Sequence, residues 1–123
     1  MSSNFVDFEV YKKSVQLTKG IYMLLSSSVF IRESAFSNQL KRAVLSITNN
    51  IAEGSEYNNN NQFIRYLKIA KGSCAEVRNM LILANELNFV NIDELKEMIN
   101  LSTEISQQLS NFINYLDRNR SKD

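Results

Sequence analysis

The absence of proline, together with only three glycines, is the feature of this 123-residue sequence that most constrains its fold. Proline breaks a helix interior and glycine weakens it, so a chain almost free of both can form long, unbroken helices. Apolar residues recur at spacings of three and four along most of the chain, and no stretch shows the alternation of a strand. The sequence therefore predicts an all-α protein.

Four amphipathic helices are predicted, over residues 7–26, 38–53, 61–87 and 92–117, within one domain spanning residues 1–123. Because most of the connections are short, neighbouring helices should run antiparallel in an up-down-up-down four-helix bundle. The third helix has a heptad seam, the pattern of a left-handed bundle. The predicted core positions are Phe8, Tyr11, Val15, Thr18, Ile21, Tyr22 and Leu25 in the first helix, Leu40, Ala43, Val44, Ile47 and Ile51 in the second, Phe63, Leu67, Ala70, Cys74, Val77, Leu81 and Ala84 in the third, and Leu95, Met98 or Ile99, Ser102, Ile105, Leu109, Phe112 or Ile113, and Leu116 in the fourth.

Residues that favour helix ends set these boundaries. The predicted N-caps are Asp7, Ser37 and either Asn91 or Asp93. Gly54 is predicted to end the second helix as a left-handed C-cap. Gly20 lies inside the first helix, where we expect close packing against a neighbouring helix. The connection over residues 29–36 is apolar for a loop, so Phe30 and Phe36 are expected to plug one end of the core.

The composition is that of a soluble globular protein, with 44% hydrophobic and 22% charged residues. No apolar run approaches the roughly 20 residues that a membrane span needs. The first residues have neither a basic start nor an apolar segment, so no export signal is predicted. Cys74 is the only cysteine, and a lone thiol is typical of a reducing compartment. We therefore expect a cytoplasmic protein with no membrane partner.

The charge is small overall but unevenly distributed. The net charge is +1, whereas residues 39–78 hold six basic and three acidic side chains and residues 86–117 hold one basic and six acidic ones. The possible nucleic-acid contacts are the basic side chains Lys41, Arg65, Lys68 and Lys71. Such a run is usually a solvated face, but a ring of identical subunits would repeat it and could hold a polyanion.

The chain contains few of the residue types that enzymes use for catalysis. There is no histidine, so the usual general base and the usual metal ligand are both missing. Ser73 and Cys74 lie in the middle of a helix with no base to activate them. No glycine-rich phosphate loop is present. No catalytic, cofactor-binding or metal-binding residue is predicted, and an enzyme is the remotest of the hypotheses.

Eight polar or small residues lie beside the apolar seams of the second and third helices. They are Gln39, Arg42, Ser46, Asn50, Glu53, Gly72, Ser73 and Glu76. Antiparallel packing could set Arg42 near Glu76 or Asn50 near Ser73, and Gly72 could let another backbone come close. One interpretation is an interhelical polar network or subunit contact that fixes the register. The other is a ligand or nucleic-acid site.

The same stretch resembles a bacterial family, the four-helix bundle proteins of the 23S rRNA intervening-sequence type. The matching residues are Gln39, Arg42, Ala43, Ser46, Ile47, Asn50, Ile51, Ala52, Glu53 and Gly54, followed by Phe63, Tyr66, Leu67, Ile69, Ala70, Gly72, Ser73 and Glu76. The chain departs from the family pattern at Thr48, where proline is frequent, and at residues 55–57, where a basic residue is frequent.

The resemblance implies a four-helix bundle, and some relatives assemble as homopentamers. One relative, the accessory protein of diversity-generating retroelements, resembles a basic partner of a reverse transcriptase and its RNA. The first hypothesis is therefore a non-enzymatic, self-associating interaction scaffold, with a pentamer as the implied stoichiometry. The alternative is an RNA- or DNA-binding accessory protein. The apolar residues left for subunit contacts are Tyr22, Leu24, Tyr66 and Ile69.

Overall fold

A computed structural model of the chain describes residues 4–119, which form helices and turns without any strand. The helices are α1 (Glu9–Leu24), α2 (Ser28–Arg32), α3 (Ser34–Ser55), α4 (Asn60–Glu86) and α5 (Lys96–Arg118), with 3-10 turns at Phe5–Asp7 and Ile92–Glu94. The all-α prediction is confirmed, and α1, α3, α4 and α5 correspond to the four predicted helices. The two ends of the predicted domain, residues 1–3 and 120–123, lie outside the described residues.

The four long helices pack side by side with alternating direction. The ion pair between Lys13 and Glu104 joins α1 to α5, and the hydrogen bond from Lys71 to Ser106 joins α4 to α5. α1 packs against α3 and α5, and α4 packs against the same two helices. α1 and α4 therefore lie diagonally across the bundle. No helix within residues 4–119 is long and apolar enough to cross a membrane.

The seams of α3 and α4 form the centre of the core as predicted. All five core positions predicted for the second helix and all seven predicted for the third are buried. Leu95, just before α5, and Ser102, Ile105, Leu109 and Leu116 within it are buried, while the residues proposed as pairs of alternatives are half-buried against them.

Clusters of three phenylalanines close the two ends of the core. Phe30, Phe36 and Phe89 lie with ring centroids 5.4–6.2 Å apart at the end where α1 ends and α5 begins. This confirms that Phe30 and Phe36 plug the core and adds Phe89 to the plug. The opposite end has a matching cluster, in which the rings of Phe8, Phe63 and Phe112 all contact one another.

The buried face of α1 differs from the predicted one. Ile21 and Leu25 are buried as expected, but Val10 and Leu17 take the core positions and Tyr22 is 41% exposed. Ser14 is also buried on this face, and its hydroxyl donates to the Val10 carbonyl one turn earlier. That bond satisfies a polar group inside the core, which a count of apolar residues cannot anticipate.

Several predicted helix ends were wrong. Asp7 is the last residue of the first 3-10 turn, and Asn4 caps that turn by accepting from the Val6 amide. The predicted loop over residues 29–36 contains α2, and α3 begins at Ser34, so Ser37 is inside a helix. Its hydroxyl donates to the Phe30 carbonyl at 2.6 Å and fixes α2 against α3.

Gly54 is also not a left-handed cap, because α3 continues through Ser55. α4 lies very close to this residue: a Cβ at Gly54 would lie 2.8 Å from Tyr66 Cβ and 2.9 Å from Phe63 Cδ1. Glycine at this position serves close helix packing. Gly20, by contrast, matches its prediction, since a Cβ there would lie 3.3 Å from the Met98 sulfur in α5.

Asparagines provide the remaining caps. The Asn59 side chain accepts from the Gln62 amide at the start of α4, and Asn91 accepts from the Asp93 amide in the second 3-10 turn. Of the two residues predicted as alternatives for this cap, Asn91 and Asp93, Asn91 is therefore the one that caps. Asn88 has a φ of 61°, and the Phe89 amide reaches back to the Ala84 carbonyl, which is the Schellman arrangement that ends a helix.

Candidate interaction surface on α3 and α4

A polar cluster joins α3 to α4 at mid-height. The Oγ atoms of Ser46 and Ser73 lie 2.8 Å apart, and the Asn50 amide donates to Ser46 at both its carbonyl, 2.8 Å, and its Oγ, 3.0 Å. Ser73 Oγ also lies 3.1 Å from the Ile69 carbonyl. Asn50 therefore reaches Ser73 through Ser46, and these hydroxyls are engaged within the bundle.

A second link between the two helices lies two turns away. Gln39 Nε2 donates to a carboxylate oxygen of Glu76 at 2.7 Å. Glu76 was expected near Arg42, but Arg42 is exposed and forms no ion pair with it. Glu53 is exposed and belongs to neither link. The structure thus brings together five of the eight predicted polar residues and leaves Arg42, Glu53 and Gly72 outside the two links.

Loss of the hydroxyl contact between Ser46 and Ser73 should destabilise the bundle modestly. We expect Ser46→Ala to lower the free energy of unfolding by about 1 kcal/mol, the usual net value of one such hydrogen bond. Ser46→Ala and Ser73→Ala should be non-additive, with a coupling of roughly 0.5 kcal/mol or more in a double-mutant cycle. Urea denaturation of the four proteins measures this, and strictly additive losses would show that the two hydroxyls do not interact.

The surface of α4 that points away from the bundle carries large apolar side chains among exposed polar ones, which include Glu76, Asn79 and Glu86. Ile69, Ile82 and Leu83 are 40–52% exposed, and among the described residues no side-chain or neighbouring-helix atom lies within 4 Å of a Cβ built at Gly72. Ala75 is exposed between them. We call these five residues the outer face of α4. Gly72 was expected to admit another backbone; within residues 4–119 no backbone of another helix approaches it.

Of the four apolar residues predicted to be free for subunit contacts, two are exposed and two are half-buried. Tyr22 and Ile69 are 41% and 52% exposed, whereas Leu24 and Tyr66 are half-buried. Tyr66 stacks on Tyr57 with ring centroids 5.3 Å apart. Sequence reasoning did not identify the exposure of Ile82, because periodicity shows which residues share a face but not which face lacks a neighbour.

The four predicted basic residues do not form one patch. Lys41 lies over the Tyr22 ring, 5.4 Å from its centroid, on the α1 side of α3. Lys71 donates to Ser106 on the α5 side of α4. Arg65 and Lys68 are exposed one turn apart beside the outer face of α4. The positive surface of a single copy is thus split over three sides of the bundle.

The nucleophilic side chains are not arranged for chemistry. Cys74 is fully buried, and desolvation raises the pKa of its thiol to about 12 against the opposing positive charges of Arg78 and Lys71. A thiol with so high a pKa is inert at neutral pH. Among residues 4–119, no three Cys, Asp or Glu side chains are close enough to hold a metal ion.

The shifted pKa of Cys74 predicts a loss of stability in alkali. The unfolded thiol loses its proton near pH 9 while the folded thiol keeps it until about pH 12, so rising pH favours the unfolded chain. We expect the free energy of unfolding to fall by up to about 1.4 kcal/mol per pH unit in that window. Urea denaturation at several pH values should show a shallower decline for Cys74→Ala; equal slopes would contradict the assignment.

Known proteins share this architecture. The sequence model of a family described as 23S rRNA-intervening sequence protein matches residues 6–111. The crystal structure of a protein with unknown function from the S23 ribosomal protein family of Bacteroides thetaiotaomicron is similar, with a TM-score of 0.76. That protein is 27% identical in sequence, and the match covers 85% of this chain and 97% of that one. No curated protein matches the chain.

Proposed function

The chain belongs to the 23S rRNA-intervening sequence protein family, and on that premise we propose that it is a non-enzymatic interaction scaffold that self-associates into a closed ring. The observation that carries the proposal is the outer face of α4. Ile69, Ile82 and Leu83 are 40–52% exposed along the longest helix, with the exposed polar side chains of Glu76 and Asn79 between them. Large apolar side chains left exposed on one helix are residues through which a second copy can pack. Five copies per ring is the proposed stoichiometry, following the resemblance to homopentameric relatives.

The polar cluster supports this proposal by making the surface rigid. Hydrogen bonds from Asn50 and Ser73 converge on Ser46, and Gln39 holds Glu76, so α3 and α4 are fixed in register. A surface on two helices fixed in this way loses little conformational freedom when a partner binds. The cluster thus acts within one copy and the apolar face between copies.

A non-enzymatic role is favoured by the state of particular side chains. Ser46 and Ser73 bond to each other, and the Cys74 thiol is buried and protonated at neutral pH. None of the three has a histidine to activate it, since the chain contains none. A buried, unpaired thiol also suits the reducing cytoplasm, where we place the scaffold.

Sedimentation equilibrium at micromolar concentration tests self-association directly. The parent protein should be an oligomer, and Ile69→Lys should shift it toward monomer because a charge on the outer face of α4 would be buried in the interface. Ile31→Lys is the matched control, since Ile31 is 66% exposed on α2 and should leave the oligomer intact. A monomeric parent protein would refute the proposal.

A second candidate function is RNA or DNA binding. It is favoured by Arg65 and Lys68, exposed one turn apart on the surface of α4. Filter binding at low and high salt, with both charges reversed to glutamate, decides between the two functions: a nucleic-acid protein must show salt-sensitive retention that the reversed variant loses. The two candidates compete for one helix surface, so Ile69→Lys should weaken self-association but strengthen binding to a polyanion.

A further inference from the structure

A groove runs along the outside of the bundle between α1 and α5. It consists of two adjoining depressions of about 430 and 660 Å³ that share Gly20, Met98 and Glu97 in their walls. Gly20 keeps the groove open, because it has no side chain to occupy the space beside the Met98 sulfur. Along α1 the lining residues extend from Gln16 to Ser27, which corresponds to roughly 16 Å of helix.

The groove is most apolar near the Phe30 end of the bundle. Met23 is 79% exposed there, so a large apolar side chain has most of its surface in water. The floor beside it consists of buried and partly buried apolar residues, namely Leu24, Val29, Phe30, Phe89, Val90 and Met98. Methionine is unbranched and adaptable, so Met23 and Met98 can pack against different apolar side chains of a partner.

Within the part of the chain that the structure describes, every charged side chain that lines the groove is a carboxylate. These are Glu94, Glu97 and Glu104. Glu104 lies 2.7 Å from the Lys13 ammonium, whereas Glu94 and Glu97 are exposed and form no ion pair with a described residue. Lys19 is exposed on α1 but does not line the groove. The apolar floor is therefore bordered by two unpaired negative charges.

An amphipathic helix with basic residues beside its apolar face has the chemistry that matches this groove. The described residues form no strand, so an extended segment would find no sheet edge for its backbone hydrogen bonds. A helix satisfies those hydrogen bonds within itself. Apolar side chains at helical spacing would fill the floor, and lysine or arginine beside them would meet Glu94 and Glu97.

We propose that the groove between α1 and α5 binds a basic, amphipathic helix of a partner protein. Met23 and the apolar floor take the apolar face of that helix, and Glu94 and Glu97 pair with its basic residues. This inference rests on the scaffold role proposed above, for which it names a class of partner. It uses the surface of one copy and does not depend on the ring.

Fluorescence anisotropy with a labelled synthetic peptide tests the docking at physiological salt. The probe is an amphipathic helix of leucine and lysine, and its comparison is a peptide of the same composition with the leucines scattered around the helix. We expect the parent protein to bind the scattered peptide roughly tenfold more weakly, since fewer of its leucines can reach the floor. Glu94→Gln combined with Glu97→Gln should weaken binding of the amphipathic peptide by about fivefold, through the loss of two ion pairs.

Two further variants make the test specific to the groove. Glu53→Gln combined with Glu56→Gln removes the same charge from exposed carboxylates at the Phe63 end of the bundle, and should change binding by less than about twofold because salt screens distant charges. Gly20→Leu fills the groove from α1 and should abolish binding, with thermal unfolding to verify that the variant is folded. If that variant does not fold, the two pairs of glutamine substitutions still decide the outcome.

The outcomes separate this inference from self-association. No binding of the amphipathic peptide, equal binding of the scattered peptide, or equal weakening by the two glutamine pairs would each overturn the docking, whatever the oligomeric state. A monomeric parent protein that binds the peptide through the groove removes the ring and leaves the docking. If the parent is an oligomer that Glu94→Gln with Glu97→Gln dissociates, a second copy occupies the groove, and the docking of a partner helix is overturned.

Discussion

Replacing Phe30 with alanine is expected to lower the free energy of unfolding by about 3–5 kcal/mol, a larger loss than we expect from Ser46→Ala. Phe30 is 1% exposed, and its ring contacts Phe36 and Phe89 at centroid distances of 6.2 and 5.8 Å. Alanine would leave a cavity at the end of the core and remove both ring contacts. Because domains of this size are stable by only about 5–15 kcal/mol, the variant should be close to unfolding.

Urea denaturation followed by circular dichroism measures this loss, and two variants control it. Phe30→Leu keeps most of the buried volume and should lose clearly less than the alanine variant. Ile31→Ala removes an apolar side chain from the same short helix, but at a residue that is 66% exposed, and should change stability little. If Phe30→Ala and Ile31→Ala lost equal stability, the aromatic plug would not be part of the cooperative core.

Replacing Gly54 with alanine should also destabilise the protein, although replacing a glycine inside a helix by alanine usually stabilises the helix. Alanine is favoured over glycine in a helix by about 1 kcal/mol. Here the new Cβ would lie 2.8 Å from Tyr66 Cβ, an atom attached directly to the α4 backbone, so α4 itself must move. Overpacking of this kind costs about 1–3 kcal/mol, and we expect a net loss that grows further for Gly54→Val.

Gly72→Ala is the matched control, because Gly72 is a helical glycine whose Cβ would meet no atom of another described helix within 4 Å. It should stabilise the folded monomer by about 0.5–1 kcal/mol. Thermal unfolding at a low, fixed concentration compares the two variants, since association would otherwise contribute to the apparent stability. A stabilising Gly54→Ala would mean that α3 and α4 do not approach as closely as the structure has them.

The parts of the fold that the sequence predicts well are those whose stabilising residues are apolar and regularly spaced. The heptad seam of α4 is a continuous example, and every predicted seam position in it is buried. The face of α1 was misassigned because a buried Ser14 interrupts its apolar pattern and bonds to the Val10 carbonyl. The connection before α3 was misread for a related reason, since the buried Ser37 hydroxyl bonds to the Phe30 carbonyl and is not a cap.

The polar cluster was predictable in part, because antiparallel pairing limits which residues of α3 and α4 can meet. Such pairing predicts Asn50 near Ser73, and the structure joins them through Ser46. The alternative pairing, Arg42 near Glu76, does not form, because Gln39 holds that carboxylate. Long side chains on a solvated surface have several partners within reach, so spacing cannot choose among them. The exposure of Ile82 depends on where neighbouring helices are absent, which no local pattern encodes.

The seam between α1 and α5 joins the two ends of the chain, and this has a consequence for how the protein folds and opens. α3 and α4 are joined by only four residues, 56–59, so their contacts are local and close quickly. Lys13 and Glu104, by contrast, are 91 residues apart, and their contact must wait for loop closure across most of the chain. We expect α1 to detach first in native-state hydrogen exchange. α1 would then be the least protected part of the molecule, and the contacts that it makes with α5 would be the first to open.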